Sequence, residues 1–396
     1  MTLLLASVTG PEEAEIAVRH GADIVDLKDP ARGAFGAVAP RAVAATVAAV
    51  AGRRPVSAVA GELAMEPDAV VGAASALADA GVDYVKVALF PEPGRAACIR
   101  ALASLARRVK VVGVMFADHG ADLALIPLMQ QSGFAGALVD TARKNAGRLL
   151  DHMDIAALSA TMDACRAHEL MGGLAGALEA PDVPRLLLLA PDVLGFRGAL
   201  CGDHDRTALI DADAVAMIRA LIPADPRATA AHAPPPAKVD YRLLAARGYA
   251  GEPRKDEAAT DRILVRDFVL PVRIGAYKHE RAKVQNVRFN VDVGILRAAQ
   301  AVEDIRDVFS YDVILDSIRM VVAQEHIALV ETLAERIAAL ILAQHRVVSV
   351  TIRIEKLDVG PGAVGVEIVR KRSAESAKVR QLHAPAAGEG DPKVAT

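Results

Sequence analysis

Two lysines and two aspartates interrupt apolar segments of this sequence, and these four residues are the best candidates for chemistry. Asp26 and Lys28 stand two residues apart in DIVDLKD, Lys86 lies within YVKVALF, and Asp140 lies within GALVDTA. If these segments are β-strands, Asp26 and Lys28 share one face, because side chains alternate along a strand. A buried ion is costly unless it is paired. We therefore expect these charges to serve a site, together with Lys144, four residues beyond Asp140.

The residue types fit imine chemistry. A lysine amine attacks a carbonyl only after losing its proton, and its ordinary pKa of about 10.4 opposes that loss at neutral pH. Burial and a second ammonium nearby both lower the pKa of an amine. Lys28 and Lys86 would meet both conditions, and we expect their amines within about 6 Å of each other. Asp26 and Asp140 would then orient the amines and carry protons in an aldol-type reaction.

A structural explanation has to be weighed against this one. A single lysine–aspartate pair at a strand end is more often a buried ion pair than a catalytic one. Lysines on two different strands, together with carboxylates on two strands, favour a functional pocket instead.

The elements that would position these charges are eight short apolar runs within the first 222 residues, separated by Ala-rich helical segments. Runs that are apolar on both faces are typical of buried parallel strands. Eight strands alternating with helices predict a (β/α)8 barrel, whose catalytic groups lie at the C-terminal ends of the strands. A doubly wound open sheet is the alternative, but no GxGxxG follows the first run. The runs are residues 3–8, 23–29, 55–63, 84–90, 109–116, 136–142, 170–176 and 193–201.

Glycine-rich text follows the seventh and eighth runs, as GGLAGALE and GFRGALCGDHDR. In barrels these two loops often hold a phosphate. The alternative is that the glycines only permit tight turns. His204 lies between two aspartates, and three consecutive side chains cannot easily converge on one metal ion. We therefore predict a surface turn here, and no metal or other cofactor. The candidate phosphate-binding residues are Gly172, Gly173, Gly195, Arg197 and Gly198, with Arg206 as a further cation.

Composition limits the function classes. The chain has 396 residues, 53% hydrophobic and 24% charged, with a formal net charge of −3, which disfavours a general nucleic-acid binder. The N-terminal apolar run lacks the basic residues of a signal peptide, and longer apolar stretches are interrupted too early to span a membrane. The three cysteines lack metal-site spacing and fit a reducing compartment. These features predict a soluble, cytoplasmic enzyme with no nucleic-acid or membrane partner.

The pattern changes along the chain. We predict a first domain over residues 1–222, a Pro/Ala-rich linker over 223–260, a second domain over 261–373 and a disordered tail over 374–396. In the second domain, alternating strands flank two helical stretches in a β-β-α-α-β-β order, which predicts a smaller α+β domain with an antiparallel sheet. Open sheet edges favour assembly into a homo-oligomer through this domain.

The first domain resembles (5-formylfuran-3-yl)methyl phosphate synthase, also called 4-(hydroxymethyl)-2-furancarboxaldehyde-phosphate synthase, of the methanofuran pathway. The matching text is VDLKDP, DYVKVALF, DTARKNAGRLLDHM, GGLAGAL and GFRGALC, within residues 1–221. The resemblance implies a barrel lyase that joins two molecules of glyceraldehyde 3-phosphate, with loss of phosphate and water. It implies that Lys28 forms the Schiff base and Lys86 accepts the proton. Asp26, Asp140 and Lys144 are then the supporting polar residues.

The second domain resembles dihydroneopterin aldolase over about residues 261–372, through IGAYKHER, FSYDVILDSI, ALVETLAERIA and IRIEKLDVGPGAVGVEIVR. The resemblance implies that Glu331 binds the pterin ring. It also implies that Glu280, Tyr311 and Lys356 surround the proton transfers that release glycolaldehyde from a dihydropterin. Leu357 stands where the family commonly has proline. Taken singly, each of these polar residues is more simply explained as an ordinary exposed side chain.

A bifunctional biosynthetic enzyme is therefore the favoured hypothesis, since methanofuran-like and methanopterin-like one-carbon carriers are used together. Three alternatives remain. The barrel could be another lysine-dependent sugar-phosphate aldolase, for example of the deoxyribose-phosphate type. The barrel could instead be a non-catalytic phosphosugar sensor. The second domain could be a catalytically silent oligomerisation module.

Overall fold

The computed structural model describes residues 1–143, 146–202, 205–223, 260–275, 280, 283–297, 308–324, 326–359 and 362–372. The chain forms two compact units. The first comprises residues 1–252 and 298–326, and the second comprises residues 253–297 and 327–396. No helix among the described residues has the length and apolarity needed to cross a bilayer.

The first unit contains a closed barrel of eight parallel strands, in the order of the sequence. Every predicted run contains one of these strands, so the predicted barrel is confirmed. The strands are Leu3–Val8 (β1), Ile24–Leu27 (β2), Val56–Val59 (β3), Tyr84–Ala88 (β4), Lys110–Phe116 (β5), Gly136–Asp140 (β6), Met171–Leu174 (β7) and Val193–Phe196 (β8).

Helices surround the barrel, and local sequence explains where several begin. Proline at the first position starts three of them, because a first-turn residue needs no N–H donor. Asp154 and Asp211 cap two others by accepting from the N–H groups of Ala157 and Ala214. The helices are Pro11–Arg19 (α1), Pro40–Val50 (α2), Pro67–Asp79 (α3), Arg95–Ala101 (α4), Leu125–Gln131 (α5), Leu149–His152 (α6), Ile155–Ala167 (α7), Asp182–Leu187 (α8) and Ala212–Leu221 (α9).

The two faces of each strand serve different cores. On β1, Leu4 and Ala6 pack in the large core beneath the helices, whereas Leu5 lies in a separate cluster at the start of the strands. A third cluster includes Val59, Val114 and Phe116 and lies toward the C-terminal ends of the strands. The alternation of strand side chains therefore aims one set of residues into the barrel, where a charged residue has to be paired.

A buried ion pair joins the last strand of the barrel to its first strand and first helix. Arg197, one residue beyond β8, contacts Glu13 of α1 through both Nη atoms, at 2.6 and 3.2 Å. Its other N–H groups donate to the carbonyl oxygens of Ser7, Arg206 and Ala208. Both charged side chains are almost fully buried. The contact fixes the β8 loop against β1 and α1.

The first unit also contains Tyr311–Gln324 (α10), a helix from the second predicted domain. It packs against α7 and α8, and Arg185 Nε lies 2.6 Å from Asp316 Oδ2. Burial lowers the pKa of Arg185, but the hydrogen bond and charge of Asp316 outweigh it, so the net pKa is raised.

The described residues of the second unit form a four-stranded antiparallel sheet and one helix. The strand order is β12-β11-β10-β9, so β9 and β12 are the edges. The predicted α+β architecture is confirmed. The elements are Thr260–Val272 (β9), Gln285–Leu296 (β10), Val330–Leu342 (α11), Val347–Lys356 (β11) and Val364–Lys371 (β12).

The predicted domain boundaries stay predictions. Residues 224–259 and 373–396 hold nearly all of the predicted linker and the predicted tail, and they lie outside the described residues, as do Lys144 and His204.

Replacing Arg197 with alanine should strongly destabilise the first unit. The change leaves the Glu13 carboxylate buried without its cation, and breaking such a pair costs about 3–5 kcal/mol. Urea unfolding of the full chain measures the loss. Arg53→Ala, which breaks an exposed pair with Glu15, is the matched control and should change the midpoint little. Equal midpoints for the two variants would contradict the structural role of Arg197.

Candidate active site

The centre of the site is a buried ion pair between two strands. Lys86 Nζ of β4 lies 2.5 Å from Asp26 Oδ2 of β2. The carboxylate is fully buried and the lysine is 4% exposed, so solvent does little to screen the contact. Sequence analysis predicted both residues as parts of one site, and the structure brings them into contact.

Two serines complete the surroundings of the carboxylate. Ser7 of β1 donates to Asp26 Oδ2 at 3.1 Å, and Ser57 of β3 donates to Asp26 Oδ1. In the strand register Ser7 pairs with Asp26 and Asp26 pairs with Ser57, so the three side chains project at one level into the barrel. The carboxylate accepts hydrogen bonds from both neighbouring strands as well as from Lys86.

Lys28 lies directly after β2, and the strand register relates it to Lys86. Leu27 of β2 pairs with Ala58 of β3, so Lys28 follows at the level of Val59. Val59 in turn pairs with Lys86 of β4. Lys28 therefore reaches the level of Lys86 from two strands away, a backbone separation of about 10 Å at the usual strand spacing. Two lysine side chains can span that interval, and a separation of about 6 Å between the amines stays a prediction.

An aromatic cluster adjoins Lys28. Its ammonium lies 5.8 Å from the centroid of the Phe35 ring, and Phe35 meets Phe116 edge-on at 5.2 Å. Phe90 stacks on Phe116 at 4.8 Å. The Phe35 N–H donates to Glu62 at 2.8 Å, which holds the β2 loop in place. Lys28 is only 6% exposed, so its amine lies against an apolar wall.

Asp140 ends β6 and is buried, with Oδ1 accepting from the Thr141 N–H at 2.7 Å. The following loop is held by Asp118, which accepts from the N–H groups of Ala142 and Arg143. Burial raises the pKa of Asp118, but these backbone hydrogen bonds outweigh it, so the net pKa lies below its ordinary value. The loop that begins at Asp140 is therefore fixed at its start.

Arg206 brings a cation to this end of the barrel. Its Nη2 donates to the carbonyl oxygen of Gly33, in the loop after β2, at 3.3 Å. Burial lowers the pKa of Arg206 and the charge of Arg197 adds to that shift, so the net pKa lies below its ordinary value although the carboxylates of Asp140 and Glu62 oppose the change. Arg206 thus carries its charge near Asp140, whereas Arg197 is engaged with Glu13.

The predicted glycines have different surroundings. A side chain at Gly172 would meet Met162 and Cys165 of α7, so this glycine faces the helix layer. Gly173 and Gly195 lie within β7 and β8, where side chains would meet Leu138 and Ala175 respectively. Gly198 begins a short 3-10 turn after β8. The structure brings only Gly198 into the loop after its strand.

The inward glycine at 173 helps to leave a small cavity inside the barrel. The cavity has a volume of about 20 Å³, and its lining includes Ser57, Tyr84, Lys86 and Leu138. It has room for roughly one water molecule.

The second unit brings together two of its predicted residues. Lys356 Nζ of β11 lies 2.7 Å from Glu280 Oε1, and both residues are at most 9% exposed. Gln285 donates to the same Glu280 oxygen at 3.4 Å. Gly275 has a φ of +142°, and any side chain there would collide with Glu280, so only glycine fits.

The other two predicted residues of the second domain are exposed. Tyr311 is 60% exposed at the first position of α10, and Glu331 is exposed in the first turn of α11. Within the described ranges, no group of three or more His, Cys, Asp or Glu side chains could hold a metal ion.

Sequence reasoning did not identify Ser7 and Ser57. The available signal was a hydroxyl inside each apolar strand, in LLLASV and PVSAV. That signal is weak because serine is neutral and small, and only the strand register shows that both side chains face Asp26.

Comparison with known proteins follows the division of the chain. The family model described as 4-HFC-P synthase matches residues 4–219, and that of dihydroneopterin aldolase matches residues 263–369. A Methylorubrum extorquens protein provisionally named (5-formylfuran-3-yl)methyl phosphate synthase is 42% identical over 230 residues, which are 58% of this chain and 94% of that protein.

Further relatives cover each part. The (5-formylfuran-3-yl)methyl phosphate synthase of Methanosarcina mazei is 33% identical over 218 residues, 52% of this chain and 93% of its own length. The crystal structure of dihydroneopterin aldolase from Burkholderia thailendensis bound to guanine is 34% identical, with a TM-score of 0.26, and covers 29% of this chain and 93% of that one. Both family resemblances seen in the sequence are confirmed: the chain belongs to the 4-HFC-P synthase family and carries a dihydroneopterin aldolase-like domain after the barrel.

Proposed function

We propose that the barrel condenses two molecules of glyceraldehyde 3-phosphate into 4-(hydroxymethyl)-2-furancarboxaldehyde phosphate, as a lyase that works through an imine on Lys28. The atoms balance when one phosphate and two waters leave. The observation that carries the proposal is the pair of buried lysines at one level of the barrel, with Lys86 held by Asp26. The family match over residues 4–219 supports the same reaction.

The division of labour follows from the surroundings of each lysine. Lys28 lies at the strand end, 6% exposed, with its amine 5.8 Å from the centroid of the Phe35 ring. A neutral Lys28 amine attacks a substrate carbonyl and forms an imine with loss of water. The carbon next to the imine then loses a proton, which converts the imine into an enamine. Lys86 and Asp140 are the groups proposed to carry protons during the carbon–carbon bond formation and the eliminations.

The substrate phosphates need a cation that is not already committed. Arg206 is the better candidate than Arg197, because all the Arg197 N–H groups that donate do so to Glu13 and carbonyl oxygens. Arg206 lies beside the β2 loop that contains Gly33. Gly198 lies in the loop between β8 and Arg206.

For the second domain we infer a dihydroneopterin aldolase activity, which makes the enzyme bifunctional. The buried contact between Lys356 and Glu280 supports this inference, because it places an acid–base pair in one site. Glu331 would bind the pterin amino and ring N–H groups, and Tyr311 would act with Lys356 and Glu280 in the proton transfers. The open edges β9 and β12 suit a homo-oligomer, and a cytoplasmic location fits both phosphorylated and pterin substrates.

Lys28→Arg should abolish covalent capture of substrate, because a guanidinium does not form an imine under these conditions. Full-length protein is incubated with glyceraldehyde 3-phosphate and borohydride, and the adduct is located by peptide mass. We expect an adduct on Lys28, together with a furan-aldehyde absorbance and free phosphate in the untreated reaction. Lys110→Arg, at an exposed position at the start of β5, is the control and should keep both signals.

Each alternative for the barrel gives a different result in this experiment. An adduct without furan formation would indicate another sugar-phosphate aldolase. Binding of substrate with no adduct, retained by Lys28→Arg, would indicate a phosphosugar sensor.

Lys356→Ala should reduce the release of glycolaldehyde from dihydroneopterin by about 10²–10⁴-fold, the usual contribution of a positioned acid or base. Furan formation by the same preparation should be unchanged. Lys371→Ala, at an exposed position on β12, is the matched control and should retain both activities. A wild-type chain that forms oligomers but releases no glycolaldehyde would instead support a silent oligomerisation module.

A further inference from the structure

Two residues that have no part in the proposed chemistry, Ser7 and Ser57, donate hydrogen bonds to Asp26. Its Oδ2 receives Lys86 Nζ and the Ser7 hydroxyl, and its Oδ1 receives the Ser57 hydroxyl. Both serines are at most 2% exposed. The proposed imine mechanism assigns them no task.

We propose that Ser7 and Ser57 are positioning residues that fix the Asp26 carboxylate and so hold the paired Lys86 side chain at one place in the barrel. This inference rests on the proposed function, since it concerns how Lys86 is prepared for proton transfer.

The physical need is set by burial. A buried ion pair is favourable only when further hydrogen bonds satisfy the remaining lone pairs of the carboxylate. Lys86 reaches only one oxygen of Asp26, so without Ser57 the other oxygen loses the donor described for it. The serines thereby complete the hydrogen bonding of the carboxylate to which Lys86 is paired.

The backbone makes these donors well suited to positioning. Ser7 and Ser57 are the register partners of Asp26 on the two neighbouring strands of the barrel. A serine hydroxyl is attached through a single rotatable bond, so a fixed strand fixes its position closely. Lys86 has a long side chain, and its ammonium needs such a fixed partner to occupy one site.

Other charged and titratable groups lie on the neighbouring elements of the barrel. They are Lys28 beyond β2, Tyr84 on β4, Asp140 on β6, and Arg197 beyond β8 with its partner Glu13. None of these is described with a hydrogen bond to Asp26, so the serines and Lys86 are its described donors.

The test uses full-length Ser7→Ala, Ser57→Ala and Ser57→Thr. Loss of a hydrogen bond to a charged group should lower kcat for furan formation by about tenfold in each alanine variant. KM and borohydride capture on Lys28 should stay within about twofold of wild type, because substrate binding and imine formation do not use the serines. Ser57→Thr should restore kcat, since it keeps the hydroxyl and the adjacent cavity has room for part of the extra methyl group.

Thr161→Ala is the matched control. Thr161 is a fully buried hydroxyl in the same unit, and it donates only to the carbonyl oxygen of Ala157 in its own helix. It should lower the thermal midpoint as the serine variants do and leave kcat unchanged. Equal effects of Thr161→Ala and Ser57→Ala on kcat would overturn the proposal.

A second readout does not require furan formation. In protein labelled with ¹⁵N-lysine, the Nζ resonance of Lys86 is assigned with Lys86→Arg. Ser57→Ala should move or broaden this resonance, and Ser57→Thr should restore it. A resonance unaffected by Ser57→Ala would refute the positioning role even if the chain makes no furan. Absence of furan with an intact, serine-dependent resonance would reject only the proposed function.

Discussion

A carboxylate and an ammonium that lie together inside a protein lose the hydration of both charges, and the barrel is organised around that constraint. Asp26 is fully buried and contacts Lys86 on another strand, so the pair depends on donors that the fold supplies. Ser7 and Ser57 supply them from the strands on either side. The arrangement is possible because β2 is paired on both sides, with β1 and with β3.

The second buried pair of the barrel has a different role. Arg197 and Glu13 also form a desolvated ion pair, but their remaining groups bind backbone and serve to join β8 to β1 and α1. A guanidinium with five donors suits this task, because it can satisfy one carboxylate and several carbonyl oxygens at once. Arg206, nearby in sequence, instead donates to the carbonyl oxygen of Gly33 in the loop after β2. Arg197 is a structural residue because its donors are used by Glu13 and by backbone carbonyl oxygens, whereas Arg206 remains a candidate binding residue.

The same combination of residue types recurs in the second unit, where Lys356 contacts Glu280. Gln285 donates to that carboxylate, and the backbone of Gly275 lies close to it. The two lysine–carboxylate pairs therefore lie in different surroundings. One lysine lies deep within a closed barrel, and the other lies at the end of a strand in an open antiparallel sheet.

The sequence alone determined the barrel and the α+β domain, because apolar runs and their spacing are local properties that survive in any folded context. It also identified Asp26, Lys28, Lys86 and Asp140 as candidate site residues, since a charge in or next to a buried strand is anomalous wherever that strand packs. Only the tertiary structure decided that Arg197 binds Glu13, 184 positions away, and that Gly172 faces a helix. It alone aligned Ser7 and Ser57 with Asp26. The register of the strands and the closure of the barrel decide which residues meet across strands. The identity of a glycine, arginine or serine in the sequence does not reveal either property.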